Sequence, residues 1–224
     1  MNNSGECDTY PCGSKSRNKK KDAWRAAGRQ IRMTTLNEII AQKTKIHTRD
    51  IKLATYPHSS RSVIIHGILK DERYVPVFDV TGEVKHPGVI HHLDVKLLVR
   101  ADPLAIEAAE AEMLTVPMPE CRTTLDAVPQ LTGLEIKPGF TAGIRNLMGG
   151  NKGCTHLCHL VTVMGQEIVH GWLTQKRRNA APLPKDIESL SESSFLIDSC
   201  RMWKKDGPKM ERLIDAIVTQ ARPD

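Results

Sequence analysis

Residues 89–100 read Val-Ile-His-His-Leu-Asp-Val-Lys-Leu-Leu-Val-Arg, and their pattern decides the fold class. Val95, Leu97 and Val99 alternate with a lysine, a leucine and an arginine, so one face of the segment is apolar and the other is mostly polar. A period of two residues is typical of a β-strand with one side against a core. The stretch therefore predicts a half-buried strand, as is common in antiparallel sheets.

The neighbouring segments extend this sheet in both directions. An apolar run over residues 61–69 is followed by Lys70-Asp71-Glu72-Arg73 and a second run over residues 74–80, which predicts a β-hairpin with its turn at 70–73. After residue 100, Ala101-Asp102-Pro103 has turn chemistry. Residues 105–114 are rich in Ala and Glu and also suit a helix, but we expect a strand. The result is an antiparallel meander.

Helical patterns dominate the rest of the chain. A short helix is expected at residues 36–40, capped by Thr34 or Thr35, and another between residue 123 and Gly133. Longer helices are predicted over residues 141–148, 154–173 and 208–220. Strands followed by helices, rather than alternating with them, predict an α+β fold, namely a small antiparallel β-sheet with helices packed on one face.

Composition divides the chain into three parts. Residues 1–33 hold most of the excess positive charge and few apolar residues, which predicts a disordered basic arm. Residues 34–175 predict the α+β core domain, and residues 176–224 a C-terminal extension that packs on this core. The net charge is +6 in 224 residues.

Charge and hydropathy also limit the expected partners and compartment. A basic arm can attract nucleic acid through counterion release, but no aromatic platform accompanies it, so we expect a protein partner instead. No apolar run approaches the length of a membrane span, and no secretory signal is visible. We therefore expect a cytoplasmic protein, in which six cysteines serve as thiols or metal ligands rather than as disulfides.

The chemistry-bearing segment is Gly149-Gly150-Asn151-Lys152-Gly153-Cys154-Thr155-His156-Leu157-Cys158-His159. Its glycine-rich turn places Cys154 at a predicted helix start, where unpaired N–H groups favour a thiolate. A phosphate-binding loop is excluded by its spacing, because Lys152 is followed by glycine rather than Ser or Thr.

Zinc and iron–sulfur sites need three or four soft or borderline ligands from separate elements. The donors that the sequence offers are Cys121, Cys154, Cys158, Cys200, His91, His92, His156 and His159. The alternative is a Cys154 nucleophile activated by a nearby histidine, and the sequence singles out no one base. The carboxylates able to orient such a base are Asp79, Asp94 and Glu107.

Several short words carry a family resemblance, among them Ile90-His91, residues 117–121, Gly153-Cys154-Thr155-His156-Leu157 and Asp198-Ser199-Cys200. Over residues 61–209 the chain resembles a family of bacterial proteins known as a domain of unknown function, number 2889. The resemblance implies that the site residues are His91, Cys121, Cys154, His156 and Cys200. It leaves Cys158, His92 and His159 as local variation.

The order of the donors also looks like that in scaffold proteins for iron–sulfur assembly, which place three cysteines on a small sheet with helices. In that likeness His91, Cys121 and Cys154 take the three positions in turn. We therefore expect a metal-binding module, for zinc or an iron–sulfur cluster, with a carrier or accessory role. The alternatives are an enzyme with Cys154 as nucleophile and a non-catalytic adaptor that docks through the basic arm.

Overall fold

The computed structural model describes residues 35–180, 183–186, 189 and 197–220. The chain forms two compact units, Met1–Lys45 and Ile46–Asp224, which are described separately. In the first unit, helix α1 (Leu36–Ala41) begins after Thr35, whose hydroxyl accepts from the Glu38 N–H while the Glu38 carboxylate accepts from the Thr35 N–H. This reciprocal capping confirms the predicted short helix. The predicted disordered arm lies outside the described residues.

The second unit is built on an antiparallel sheet, which confirms the predicted fold class. Its strands in chain order are β1 (His47–Ser59), β2 (Ser62–Arg73), β3 (Val77–Phe78), β4 (Val84–Lys85), β5 (Gly88–Arg100) and β6 (Ala105–Thr115). The main sheet has the order β1-β2-β5-β6, and β3 and β4 form a separate hairpin between β2 and β5. The strand that we expected over residues 105–114 is therefore confirmed.

The predicted turn at residues 70–73 is wrong. Strand β2 runs straight through these residues to Arg73, and its hairpin partner is β1 rather than the segment 74–80, of which only Val77–Phe78 is a strand. The reason is that Asp71 continues the buried alternation of Ile65 and Leu69 and is itself 1% exposed. By residue type alone, a polar strand residue with a buried ion-pair partner cannot be told from a turn residue.

The longer helices of this unit are α2 (Phe140–Met148), α3 (Thr155–Lys176) and α4 (Pro208–Gln220). Helix α3 packs on one face of the sheet and α2 packs against α3, whereas α4 contacts the 3-10 turn at Arg201–Trp203. These three confirm the predictions, whereas the short helix expected from residue 123 consists of 3-10 turns over Pro119–Ala127 and Pro129–Leu131. The buried stripe of α3, with Leu160, Met164 and Ile168 fully buried, covers the apolar residues of β2 and β5.

Two glycines allow α3 to approach the sheet closely. A methyl group on Gly67 of β2 would lie 2.7 Å from Met164 Sδ, and one on Gly171 of α3 would overlap Thr55 Oγ1 of β1. Real atoms do not pack this closely, so a methyl group at either position would displace its neighbour. The two glycines therefore allow the present separation between α3 and the sheet.

The C-terminal helix α4 has a small cluster of its own. Met210 and Ile217 are buried, and Ile197, Trp203 and Leu213 pack against them. The boundaries predicted for a core domain and an extension remain predictions. In the described part of the chain, no helix combines the length and the hydropathy needed to cross a membrane.

Candidate metal centre

A row of three polar side chains crosses the helix-covered face of the sheet at one end of its apolar stripe. The strand register places Arg49 of β1 opposite Asp71 of β2, and Asp71 opposite His91 of β5. Directly opposite residues of antiparallel strands share a face. The strand register alone therefore brings the three side chains together.

The first contact in this row is a bidentate ion pair. Arg49 donates from Nε to Asp71 Oδ1 and from Nη2 to Asp71 Oδ2, and both donor–acceptor distances are 2.7 Å. Burial disfavours the ionised carboxylate, but the hydrogen bonds and charge of Arg49 outweigh burial and lower the pKa of Asp71 below its ordinary value. Asp71 is therefore a buried, ionised acceptor at neutral pH.

The second contact orients His91. Its Nδ1 lies 2.9 Å from Asp71 Oδ2, and because an ionised carboxylate only accepts, Nδ1 carries the proton. In the neutral ring this leaves Nε2 with its lone pair free to bind a metal or take a proton. A bulge adjoins this position, since Asp71 pairs with His91 but Glu72 pairs with Val89, which leaves Ile90 as the extra residue.

The start of α3 supplies the other half of the cluster. Cys154 is the N-cap residue, and its Sγ lies 3.8 Å from Nδ1 of His156 in the first turn. The preceding Gly153 allows this approach, because a methyl group there would lie 2.8 Å from the carbonyl oxygen of Met148 at the end of α2. The glycine-rich turn thus delivers the cysteine and the histidine together.

The two histidine rings stack on each other. Their centroids are 3.7 Å apart with the ring planes inclined by 30°, and His156 Nε2 lies 3.7 Å from Asp71 Oδ2. Burial, followed by the charges of His91 and Arg49, lowers the pKa of His156. His156 is therefore held as the neutral imidazole that metal ligation and general-base catalysis both require.

Within the described ranges, Asp71, His91 and His156 form the one group of at least three such side chains whose ligand atoms all lie within 4.8 Å of one another. Two imidazoles and a carboxylate, with a thiol beside them, are donors that zinc accepts. The carboxylate–histidine contact is also the arrangement that commonly orients a metal-bound histidine. The donor set therefore fits a transition-metal ion.

Three of the five predicted site residues meet here, namely His91, Cys154 and His156. Cys121 is partly buried against the main core, and Cys200 is exposed beside a 3-10 turn at Arg201–Trp203. Neither belongs to the converging group of Asp71, His91 and His156. Their assignment as ligands remains a prediction.

The structure also places the residues that the sequence left open. Cys158 is a core residue of α3, and burial raises the pKa of its thiol. Asp94 lies on the opposite face of β5 from His91, and its carboxylate is 2.8 Å from His66 Nε2. Asp79 accepts a hydrogen bond from the Thr81 hydroxyl in the turn after β3. Asp71, which was expected to be a turn residue, is the carboxylate that contacts the histidines.

Sequence reasoning missed Arg49 and Asp71, although a signal for both was present. Val63, Ile65, Gly67 and Leu69 form a period of two that Asp71 continues without a break. Ile51, Leu53 and Thr55 show the same period two residues after Arg49. Extending both patterns by one step places the arginine and the aspartate on the apolar face, where buried charges require a partner.

The chain matches a family of proteins. No curated protein and no solved structure matches the chain significantly. The family model described as "Protein of unknown function (DUF2889)" matches residues 47–170, which begin with β1 and end within α3 and so contain Arg49, Asp71, His91, Cys154 and His156. The resemblance was predicted over residues 61–209, whereas the match starts earlier, at residue 47, and stops earlier, at residue 170. Because it spans more than half of the 224 residues, the chain belongs to the DUF2889 family.

Proposed function

We propose that this protein binds a single zinc-type metal ion between the start of α3 and the end of the β2–β5 pair. The observation that carries the proposal is the convergence of Asp71, His91 and His156 within 4.8 Å, with Cys154 in contact with His156. A metal binds to a neutral imidazole and to a cysteine thiolate, and a helix N-terminus favours the thiolate form of its cysteine.

The hydrogen bonds distinguish ligands from supporting groups. Both oxygens of Asp71 already accept from Arg49, and one also contacts His91 Nδ1. We therefore assign Asp71 to orienting His91, and assign His91 Nε2, His156 and the Cys154 thiolate as ligands. Three protein ligands leave a fourth position for water, for a transferred group, or for one of the predicted ligands Cys121 and Cys200.

This donor set favours a mononuclear ion over an iron–sulfur cluster. Clusters are held mainly by cysteine thiolates, and of the four described cysteines Cys154 is the one that contacts the converging group. A three-ligand site with one open position would suit the carrier or accessory role.

The direct test is the metal content of protein purified without oxygen from cells supplied with zinc and iron. We expect about one zinc per chain in the wild type and in Cys158→Ala, and a loss of most of it in Cys154→Ala. A broad visible absorbance together with stoichiometric iron would indicate that the site holds an iron–sulfur cluster instead of zinc. Folded wild-type protein without any metal would contradict the proposal.

A second candidate function rests on the line of contacts from Cys154 through His156 to Asp71. The sulfur lies 3.8 Å from one ring nitrogen of His156, and Asp71 lies 3.7 Å from the other. A thiol, an imidazole and a carboxylate in this order can form an activated nucleophile. This candidate predicts that metal-free protein is alkylated at Cys154 near pH 7, and that His156→Gln slows this alkylation at least about tenfold.

A further inference from the structure

Within the described residues, no strand pairs with the outer edge of β1, and the sequence along this edge is self-complementary. In the sheet order β1-β2-β5-β6, β1 is a terminal strand of 13 residues. An exposed strand edge presents N–H and C=O groups that can pair with another strand. What such an edge can pair with depends on its register and on the side chains along it.

One hydrogen bond identifies the backbone groups that point outward. The Tyr74 N–H donates to the carbonyl oxygen of Ile46. These two residues lie directly opposite each other when the β1–β2 register is continued by one residue beyond His47 and Arg73. In an antiparallel pair, hydrogen-bonded and non-hydrogen-bonded pairs alternate. Even-numbered residues of β1 therefore bond to β2, and the odd-numbered residues 47–57 direct their backbone groups away from the sheet. Pro57, which has no N–H to offer, ends this edge.

We propose that the β1 edge pairs antiparallel with β1 of a second copy of this chain, with Ile51 opposite Ile51 on the two-fold axis. In this register the outward N–H and C=O groups of Arg49, Ile51 and Leu53 face those of Leu53, Ile51 and Arg49 of the second copy. The register extends from residue 47 to residue 55 and stops before Pro57. Two sheets then become one continuous sheet with both helix layers on the same side.

The side chains of the other face support this register. Asp50 lies opposite Lys52 of the second copy, and this ion pair occurs twice across the axis. Just beyond the two ends of the pairing, Ile46 lies opposite Tyr56. These two side chains are exposed to 63% and 51% in the single chain, so the pairing would bury apolar surface there. Opposite charges and apolar contacts directly across a strand pair are stabilising.

The neighbouring antiparallel registers are unfavourable. Shifting the axis to Asp50 or Lys52 places like charges directly opposite, and shifting it to Arg49 places two guanidinium groups opposite. Shifting it to Leu53 places Arg49 against Pro57, which lacks a donor. A lysine in the middle of an edge strand ordinarily discourages pairing, but here Asp50 on the same face gives it a partner.

The pairing would also cover part of the metal centre. Arg49 has a side chain exposed to 36%, and Leu53 of the second copy would lie beside it on the helix-covered face. Dimerisation through β1 does not require a bound metal, because the contacts that favour it are the strand hydrogen bonds, the Asp50–Lys52 pairs and the Ile46–Tyr56 contacts.

The test is the oligomeric state of the full chain, measured by sedimentation at concentrations from micromolar to about 100 µM. Asp50→Lys and Lys52→Asp each place like charges opposite each other twice and should raise the dimer dissociation constant at least about tenfold. The double variant Asp50→Lys/Lys52→Asp restores opposite charges and should recover the dimer. A monomeric wild type throughout, or single variants that dimerise as the wild type does, would overturn the proposal.

A cross-link tests the register even if a charge variant folds poorly. Ile51→Cys should form a disulfide between copies on mild oxidation, located by mass spectrometry at residue 51 on both sides. The control Thr48→Cys should not, because the two residues 48 would be about 20 Å apart along the strands. Equal cross-linking of both variants would contradict the proposed register.

Discussion

Replacing Arg49 by methionine should leave Asp71 as a buried carboxylate without its main partner. Asp71 has a side chain exposed to 2% and accepts two 2.7 Å bonds from the guanidinium, and only the His91 contact at 2.9 Å and the weaker one to His156 would remain. Removing one member of a buried ion pair costs about 3–5 kcal/mol. Since Arg49 itself is one-third exposed, we expect roughly 2–3 kcal/mol at pH 7.

The pH dependence of this cost has a definite sign. Because the pKa of folded Asp71 is lowered, its stabilising contribution is complete above the unfolded pKa near 4. It is lost as the pH falls through the lowered folded pKa. The difference in unfolding free energy between wild type and Arg49→Met should therefore be largest between about pH 6 and 8 and should shrink below about pH 4.

The assay is urea unfolding followed by circular dichroism at two protein concentrations, because a contribution from dimerisation depends on concentration and is thereby measured separately. The matched control is Arg61→Met, because Arg61 lies 3.6 Å from Asp102 in a pair whose side chains are 70% and 84% exposed. We expect this control to lose less than about 1 kcal/mol. If Arg49→Met costs no more than Arg61→Met, or if its cost does not depend on pH, the buried pair does not stabilise the fold as argued.

The remaining predictions concern the packing of α3 and the state of its thiols. Gly171→Ala should destabilise the protein by about 1–3 kcal/mol in the same unfolding assay, because the new methyl group would overlap Thr55 and force the helix away from β1. Gly67→Ala should cost less, since its methyl group meets mainly the flexible end of a methionine; an equal or smaller loss for Gly171→Ala would contradict the packing argument. In metal-free folded protein, iodoacetamide should label Cys154 at least about tenfold faster than Cys158, whose pKa is raised by burial. Peptide mass spectrometry measures both rates, and faster labelling of Cys158 would show that it is not a core residue.

Local patterns were sufficient to predict most of the fold. The alternation in residues 95–99 identified β5, and the helical period from Leu157 onward identified α3, because each element buries one face of its own sequence. The same approach failed for β2 beyond Leu69. Four consecutive polar residues have the composition of a turn, and what keeps Asp71 in the strand is an arginine 22 residues earlier in the chain.

The candidate site was predictable only in part for the same reason. Cys154 and His156 share one short segment, so their proximity follows from the glycine-rich turn and the helix start. Their contact with His91 depends on how α3 lies over the sheet, which no local pattern contains. Arg49 and Asp71 enter the site through strand register, and register is a relation between segments.

The measurement that tests the metal centre most directly is a zinc titration of metal-free protein, comparing His91→Gln with the matched variant His92→Gln. His92 follows His91 in β5 and points to the opposite face, so its replacement should leave zinc affinity unchanged. We predict that His91→Gln weakens zinc binding at least about a hundredfold, and that Asp71→Asn, which removes only an orienting group, weakens it about 10–100-fold. Equal zinc affinity in wild type and His91→Gln would contradict the account.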